Sequence, residues 1–215
     1  MAIEPEDFSL IKEARQISPE PELGACAILG DCNIHVGLDQ FKRELNFDVV
    51  DTFDINGNPT YKVDLNEPLD EFLHHKYDWV IDSGTLHCCF DMVAVLQNIL
   101  NILKDTGNVV HTGNLSGFFG RGFYSLSPAF FRDFYTCNNF TIEMSATKTR
   151  TRRVWNKFNS QYTYLNNKNL SFQESPGEFI PEIPNDSMIF CYASRQKKCS
   201  FIKPIPKHFI NTNGK

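Results

Sequence analysis

Short apolar runs, each closed by an acidic residue, constrain the fold of this chain more than any other feature of its sequence. Residues 25–29 are followed by Gly30 and Asp31, and residues 79–81 are followed by Asp82. Apolar runs too short for a helix and without polar alternation are typical of strands buried on both faces of a parallel sheet. Amphipathic segments separate these runs, and parallel neighbours need crossover helices. The sequence therefore predicts an α/β sheet with helices on both faces.

Periodicity and turn residues predict the order of the elements. Strands are expected at residues 25–29, 48–54, 60–65, 77–82, 109–110, 141–148 and 187–195, and helices at residues 37–45, 68–75, 90–104 and 129–135. The helix at 90–104 has the clearest signal, because its apolar residues recur at helical spacing on a broad stripe. Residues 112–122 are expected to form a glycine-rich loop, and residues 149–186 show no assignable pattern.

Length and charge predict one domain with a small-molecule partner. The chain has 215 residues, 41% of them hydrophobic, which suits one compact domain rather than a disordered chain. We expect this domain to cover residues 1–215, with a core at 25–148 plus 187–195 and a substrate-side insertion at 149–186. The net charge of -5 gives no general attraction for nucleic acid or an anionic membrane.

The sequence also predicts the compartment and the state of the cysteines. No apolar run approaches the ~18 to 20 residues that span a membrane, and the acidic first residues lack the pattern of a secretory signal. A cytoplasmic protein is therefore expected. Seven cysteines without a C-x2-C pair indicate reduced thiols. No metal site is predicted, because the pairs His74-His75 and His87-Cys88 lack the spacing of zinc ligands.

Acidic residues at the ends of successive predicted strands suggest a ligand site. Asp54 stands 24 residues after Gly30, Asp64 closes the third strand, and Asp82 closes the fourth. Carboxyl ends of parallel strands meet at one edge of a sheet, where carboxylates accept hydrogen bonds from ribose hydroxyls and an adenine amine. The first loop lacks G-x-G-x-x-G, which argues against a dinucleotide and favours a ligand without phosphate. Taken singly, Gly30-Asp31 also fits an ordinary turn, and Asp82 fits a helix cap.

Five segments resemble class I S-adenosylmethionine-dependent methyltransferases, with the nearest match in a divergent branch found among bacterial biosynthetic proteins. They are residues 29–31, 51–54, 63–69, 77–86 and 120–128, the last with the sequence GRGFYSLSP. The resemblance covers residues 25–148. It implies a Rossmann-like, mostly parallel seven-stranded sheet that is closed by an antiparallel C-terminal hairpin, and S-adenosyl-L-methionine as the cofactor.

The resemblance also implies where the cofactor binds. Gly30 and Asp31 would lie under its methionine part, Asp54 on the ribose and Asp64 near the adenine. Ile55 and Leu65, the neighbours of these two acids, and the segment Asp82, Ser83 and Gly84, beside the sulfonium, complete the expected cofactor-binding residues. The sequence departs from the family in its glycine-poor first loop, in His87-Cys88 where the branch has Glu-His, and in Arg121 where the branch has histidine.

Methyl transfer needs a positioned acceptor and at most one group that removes a proton. His87 and His111 are candidate bases, because histidine titrates near neutral pH. Tyr124 is a candidate for orienting the acceptor. The alternatives are that His111 is a satisfied core histidine and that Tyr124 only packs.

Four polar residues are expected to contact the substrate: Asn114, Arg121, Arg152 and Arg153. The last two belong to a basic cluster with Lys148, Arg150 and Lys157. Arginine suits two-pronged recognition of a carboxylate or phosphate, although a solvated loop is the more common explanation of such a cluster.

We therefore expect an enzyme that transfers a methyl group from S-adenosylmethionine to a small, polar metabolite, with an anionic acceptor included. Two alternatives stay open. One is another reaction of the same cofactor, an intramolecular displacement that releases methylthioadenosine. The other is a non-catalytic, ligand-binding relic of the fold. The expected partner is a small molecule rather than nucleic acid or a membrane, and a homodimer is compatible with the sequence.

Overall fold

The computed structural model describes residues 2–18, 24–117, 120–151, 159–164, 187–198 and 200–205, with the backbone alone for 148–151 and 159–164. Its strands are β1 (Ala2–Ile3), β2 (Gly24–Leu29), β3 (Asn33–Ile34), β4 (Phe47–Asp54), β5 (Tyr61–Lys62), β6 (Tyr77–Ser83), β7 (Leu103–Ser116), β8 (Phe140–Thr151), β9 (Asn159–Tyr164) and β10 (Ser187–Arg195). Its α-helices are α1 (Pro5–Ile17), α2 (Leu38–Leu45), α3 (Met92–Ile102) and α4 (Pro128–Cys137). Two 3-10 helices occupy Glu71–Leu73 and Leu86–Cys88.

Eight of these strands form one sheet in the order β5-β4-β2-β6-β7-β10-β8-β9. Neighbours from β5 to β7 are parallel, and neighbours from β7 to β9 are antiparallel. This confirms the predicted mostly parallel sheet with an antiparallel C-terminal part. The eighth strand, β9, lies at the edge beside β8, inside the segment 149–186 that the sequence pattern left unassigned.

Helices cover both faces of the sheet, as predicted. On one face, Phe8 and Ile11 of α1 and Phe41 of α2 belong to a buried cluster with residues of the strands. On the other face, Ile99 of α3 and Phe131 of α4 belong to a second buried cluster. Each apolar stripe is removed from water against the sheet, which is the main stabilisation of an amphipathic helix in a protein.

Three expectations about the elements were wrong. The predicted loop at 112–122 begins later, because β7 continues to Ser116 by pairing with β10. Helix 68–75 is reduced to the 3-10 turn Glu71–Leu73. Only Tyr61–Lys62 of the extended segment 60–65 pairs in the sheet, because β4 offers it just Phe53 and Asp54 as partners.

Helix α1 was missed in the sequence. Its signals are local and readable: Pro5 stands at the first helical position, and acidic residues fill the first turn. Ile3 of β1, just before it, is fully buried, and β1 pairs in parallel with β3 beside the first loop of the sheet. The N-terminal segment is therefore anchored at the carboxyl edge of the sheet.

Candidate functional site

The carboxyl ends of β2, β4, β5 and β6 bring the predicted acids to one edge of the sheet. The Cys89 thiol reports that three of them face a common region. Burial raises the pKa of this thiol to about 12, and the negative charges of Asp82, Asp64 and Asp54 contribute to the rise. A carboxylate acts on a titrating neighbour only over a limited range, so these three acids lie in the same part of the molecule as Cys89.

Asp54 joins the first two loops of this edge. Its Oδ2 accepts a hydrogen bond from the Asp31 backbone N–H at 2.7 Å, and its Oδ1 accepts one from Asn56 at 2.9 Å. The exposed side chain of Asp31 accepts in turn from the Asn58 N–H at 2.9 Å. Each carboxylate oxygen has two acceptor positions, so Asp54 keeps acceptor capacity toward solvent. Ile55, directly after it, is 53% exposed.

Two glycines allow the first two loops of this edge to approach each other closely. Gly30 has a φ of 98°, in the region that favours glycine, and its N–H donates to the Phe53 carbonyl at 2.7 Å. A Cβ on Gly57 would lie 2.2 Å from the Asp31 carboxylate, so the second loop reaches the first only because this residue has no side chain. The first loop thus combines a buried glycine at Gly30 with a fixed, exposed carboxylate at Asp31.

The side chains of the neighbouring residues Asp64 and Leu65 differ in their exposure. The Asp64 side chain is exposed, and its Oδ1 accepts from the Asn66 backbone and side-chain nitrogens at 2.9 and 2.8 Å. Leu65, in contrast, belongs to the buried core, and its carbonyl accepts from Asn98 Nδ2 at 3.1 Å. The Leu65 side chain is therefore part of the core, and the predicted binding of a cofactor at Leu65 stays a prediction that concerns its backbone.

Asp82 lies behind the edge rather than on it. Its side chain is 1% exposed. Oδ1 accepts from the backbone N–H groups of Thr85 and Leu86 at 2.6 and 3.1 Å, and Oδ2 lies 2.7 Å from His111 Nδ1. Asp82 therefore shapes the loop that contains Gly84, which has a φ of 91°.

His111 completes this buried group. Its ring is fully buried, with Nδ1 on Asp82 and Nε2 on the Tyr135 hydroxyl. Burial raises the pKa of Tyr135 well above its usual value, so the phenol stays protonated and donates a hydrogen bond to Nε2. Nδ1–H then donates to Asp82, which fixes the tautomer. Both ring nitrogens are bonded inside the core, which is the arrangement expected of the alternative, a satisfied core histidine.

Ser83 has a structural partner as well. Its side chain is buried, and Oγ donates to the Ala2 carbonyl of β1 at 3.2 Å. The hydroxyl of Ser83 therefore ties the N-terminal strand to β6, and the position of Ser83 beside a bound cofactor stays a prediction.

His87 is the buried histidine that keeps an unused nitrogen. It is 6% exposed, and among the described residues its Nδ1 has no hydrogen-bond partner. Burial lowers the pKa of the ring; the charge of Arg121 lowers it further, and Asp82 opposes the change. His87 is thus neutral at neutral pH, which is the form that accepts a proton.

Of the remaining predicted site residues, two hold loops of the protein together and one is exposed at the surface. Tyr124 Oη donates to the Phe90 carbonyl at 2.7 Å, so this hydroxyl holds two loops together. Asn114 is buried, and its Nδ2 donates to the Arg121 carbonyl at 3.2 Å. The roles of Tyr124 and Asn114 toward a substrate stay predictions. The Arg121 side chain is exposed. Arg152 and Arg153 lie outside the described residues.

Solved structures with a similar fold include two methyltransferases and the YcgJ protein. A S-adenosylmethionine-dependent methyltransferase from Mesorhizobium loti is 13% identical, with a TM-score of 0.51 over 85% of this chain and 96% of that one. The 1,6-didemethyltoxoflavin-N1-methyltransferase of Burkholderia thailandensis, with bound 1,6-didemethyltoxoflavin and S-adenosylhomocysteine, is 13% identical, with a TM-score of 0.52 over 88% and 80%. The YcgJ protein of Bacillus subtilis is 6% identical, with a TM-score of 0.54 over 90% and 100%.

The chain has the class I methyltransferase fold. This confirms the fold that the sequence resemblance implied. No protein-family model and no curated protein matches the sequence. In the part of the chain that the structure describes, no three His, Cys, Asp or Glu side chains are grouped so as to hold a metal ion. None of the described helices combines the length and the apolar character needed to cross a membrane.

Three residues near the edge of this methyltransferase fold were missed as site residues. Phe90 and Phe123 are exposed at the ends of two loops, and Gly122 packs on His87 with a φ of 72°. A glycine between two larger residues is a readable signal for a close backbone approach. The partner of Gly122, 35 positions earlier in the chain, has no signal in the local sequence.

Proposed function

We propose that this chain binds S-adenosylmethionine and transfers its methyl group to a small, polar metabolite. The observation that carries the proposal is the position of Asp54 and Asp64 at the carboxyl edge of a class I methyltransferase fold, with Asp54 bonded to the first loop at Asp31. In open α/β sheets, ligands bind in the crevice outside the carboxyl ends of the strands.

The residues at this edge fit the cofactor part by part. Asp54, held by two backbone N–H groups, keeps acceptor positions for the two ribose hydroxyls. Ile55 offers an exposed apolar side chain for one face of the adenine ring, and the exposed Asp64 carboxylate can accept from its amine. Gly30 has no side chain to exclude the methionine part.

His87 and Arg121 are the groups of this chain that would act on the acceptor. When bound, S-adenosylmethionine supplies a methyl group that is already activated by the positive sulfonium. The chain then has to hold the acceptor in line and, for an acceptor that carries a proton, to remove it. His87 is kept neutral by burial and can take that proton. Arg121, exposed beside it, suits an acceptor with a negatively charged group.

The buried group behind the edge would act indirectly. Asp82 binds the N–H groups of Thr85 and Leu86, and His111 holds Asp82. Both are positioning residues for the loop that precedes His87. The proposal therefore separates acids that touch the cofactor from an acid that shapes the site.

Calorimetric titration with S-adenosylhomocysteine tests the proposal. Asp54→Asn should weaken binding about 10- to 100-fold, because a hydrogen bond to a charged group contributes roughly 1.5–3 kcal/mol. Asp48→Asn is the matched control, since Asp48 is exposed on the same strand at its amino end. Its affinity should equal that of the wild type. Wild-type protein that releases no heat at millimolar ligand would refute the proposal.

Product analysis then distinguishes the type of reaction. A methyltransferase releases S-adenosylhomocysteine, whereas displacement at the methionine chain releases methylthioadenosine. The proposal of a small-molecule acceptor is supported by one protein of the same fold, the Burkholderia thailandensis enzyme with bound 1,6-didemethyltoxoflavin. Mass spectrometry of the nucleoside product in the presence of candidate acceptors reports which of the two nucleosides forms.

A further inference from the structure

Two phenylalanine rings at this edge of the sheet are exposed and contact each other. Phe90 is 70% exposed and Phe123 is 64% exposed. Their ring centroids are 5.4 Å apart, and their planes are nearly perpendicular at 89°. We call Phe90 and Phe123 the aromatic pair. Two perpendicular rings form a corner in which a third flat ring can stack on one and meet the edge of the other.

Hydrogen bonds hold the two loops of the aromatic pair in place. Tyr124 Oη donates to the Phe90 carbonyl at 2.7 Å, and the Phe123 N–H donates to the His87 carbonyl at 2.8 Å. Gly122 permits this approach, because a Cβ there would lie 2.6 Å from the His87 carbonyl oxygen. The pair is therefore preorganised, and a ligand would not have to order these loops on binding.

The aromatic pair adjoins the groups that we assign to the acceptor. His87 lies three residues before Phe90 and donates no hydrogen bond from its buried Nδ1 to any described residue. Arg121, with an exposed side chain, lies two residues before Phe123. The polar groups that adjoin the pair are thus the exposed Arg121 side chain and the His87 imidazole, which is only 6% exposed.

We propose that the aromatic pair is the acceptor subsite and binds a planar aromatic ring that carries the group to be methylated. The inference rests on the proposed function for the identification of the bound molecule as the methyl acceptor. It narrows the class of small, polar metabolites to those with an aromatic ring, with their polar substituents directed at His87 and Arg121.

The test compares a flat probe with a puckered one. 2-Naphthol and decahydro-2-naphthol have the same carbon skeleton and hydroxyl group, and they are titrated in ligand-observed NMR. The wild type should bind 2-naphthol about 3- to 10-fold more tightly. Phe90→Leu and Phe123→Leu, which keep an apolar side chain, should each reduce this preference, and the double variant should abolish it. Phe72→Leu is the matched control, because Phe72 is 66% exposed and contacts Tyr61 instead.

Three results would overturn the inference. The first is equal affinity of the wild type for both probes. The second is an unchanged preference in the double variant. The third is that the wild type self-associates in sedimentation, and that the double variant no longer does so but binds the probes as the wild type does. The aromatic pair would then be an interface between copies of the chain.

Titration of the same samples with S-adenosylhomocysteine separates this inference from the proposed function. Neither ring is assigned to the cofactor, so both single variants should bind it as the wild type does. Intact cofactor binding without a preference for the flat probe refutes the aromatic subsite alone. A preference for the flat probe without cofactor binding refutes methyl transfer alone.

Discussion

Replacement of His111 by Leu tests the buried group of Asp82, His111 and Tyr135. All three side chains are essentially inaccessible to water. The substitution leaves the Asp82 carboxylate without its partner at 2.7 Å and leaves the Tyr135 hydroxyl without an acceptor. Breaking a buried ion pair or charged hydrogen bond costs about 3–5 kcal/mol, and an unsatisfied buried hydroxyl costs roughly 1–3 kcal/mol. We therefore expect the free energy of unfolding to fall by about 4 kcal/mol or more.

The coupling between His111 and Tyr135 gives the sharper result. In the wild type, Tyr135→Phe leaves His111 Nε2 without a donor and should cost about 1–3 kcal/mol. In the His111→Leu background the hydroxyl is already unsatisfied, so Tyr135→Phe should be neutral or stabilising. The control is Tyr192→Phe, because the buried Tyr192 hydroxyl donates to Asn108 Oδ1 at 2.9 Å and has no contact with His111. Its cost should be the same in both backgrounds.

Urea denaturation of the five variants (the three single and the two double variants) and the wild type measures these differences from the transition midpoints. An equal cost of Tyr135→Phe with and without His111 would refute the hydrogen-bonded chain. If His111→Leu does not fold, His111→Gln replaces it in the cycle, because glutamine is polar and still interrupts the path from Tyr135 to Asp82.

Three further predictions concern the loops at the sheet edge. Gly122→Ala should destabilise the protein more than Gly120→Ala. Both residues have a left-handed φ, 72° at Gly122 and 74° at Gly120. A Cβ on Gly122 would lie 2.5 Å from the His87 ring, whereas a Cβ on Gly120 would have no neighbour within 4 Å. Thermal unfolding of the two variants measures the difference, and equal melting temperatures would contradict it. Burial lowers the pKa of His87 from 6.5, so below about pH 6.5 the unfolded chain binds a proton that the folded chain resists. Stability should fall as the pH drops through this range, and His87→Gln should flatten that part of the profile in urea titrations. The Cys89 thiol, with a pKa of about 12 from burial and nearby acids, should react slowly with iodoacetamide at pH 8.5, and Asp64→Asn should accelerate the reaction.

Local patterns predicted the elements whose signals are local. The helix expected at 90–104 spans Met92–Ile102, because its apolar stripe needs no distant information. The extent of β7 was not predictable in the same way. Its last residues include Thr112 and Asn114, which are polar and buried. They are strand residues because β10, more than 70 positions later in the chain, pairs with them.

The same distinction explains what could be predicted of the site. The identity and the common edge of the acids followed from strand ends, which are local signals. The different roles of these acids could not be predicted from local signals. Asp82 is held in the core by a hydrogen bond with His111, 29 residues away, and His111 is oriented by Tyr135, another 24 residues away. Such contacts depend on the packing of β6, β7 and α4, which no window of the sequence contains.

The two layers of acids have different consequences for mutation. Asp54 and Asp64 keep carboxylate oxygens toward solvent, so under the proposed function their replacement removes ligand contacts while the core stays packed. Asp82 is 1% exposed and ties β6, β7 and the loop at Thr85 together, so its replacement removes fold stability and loop geometry at once. Binding and stability should therefore decline together for changes at Asp82, His111 and Tyr135, but separately for changes at Asp54. The three acids follow the same pattern in the sequence, but in the fold Asp54 and Asp64 lie at the surface of the sheet edge, whereas Asp82 lies in the core behind it.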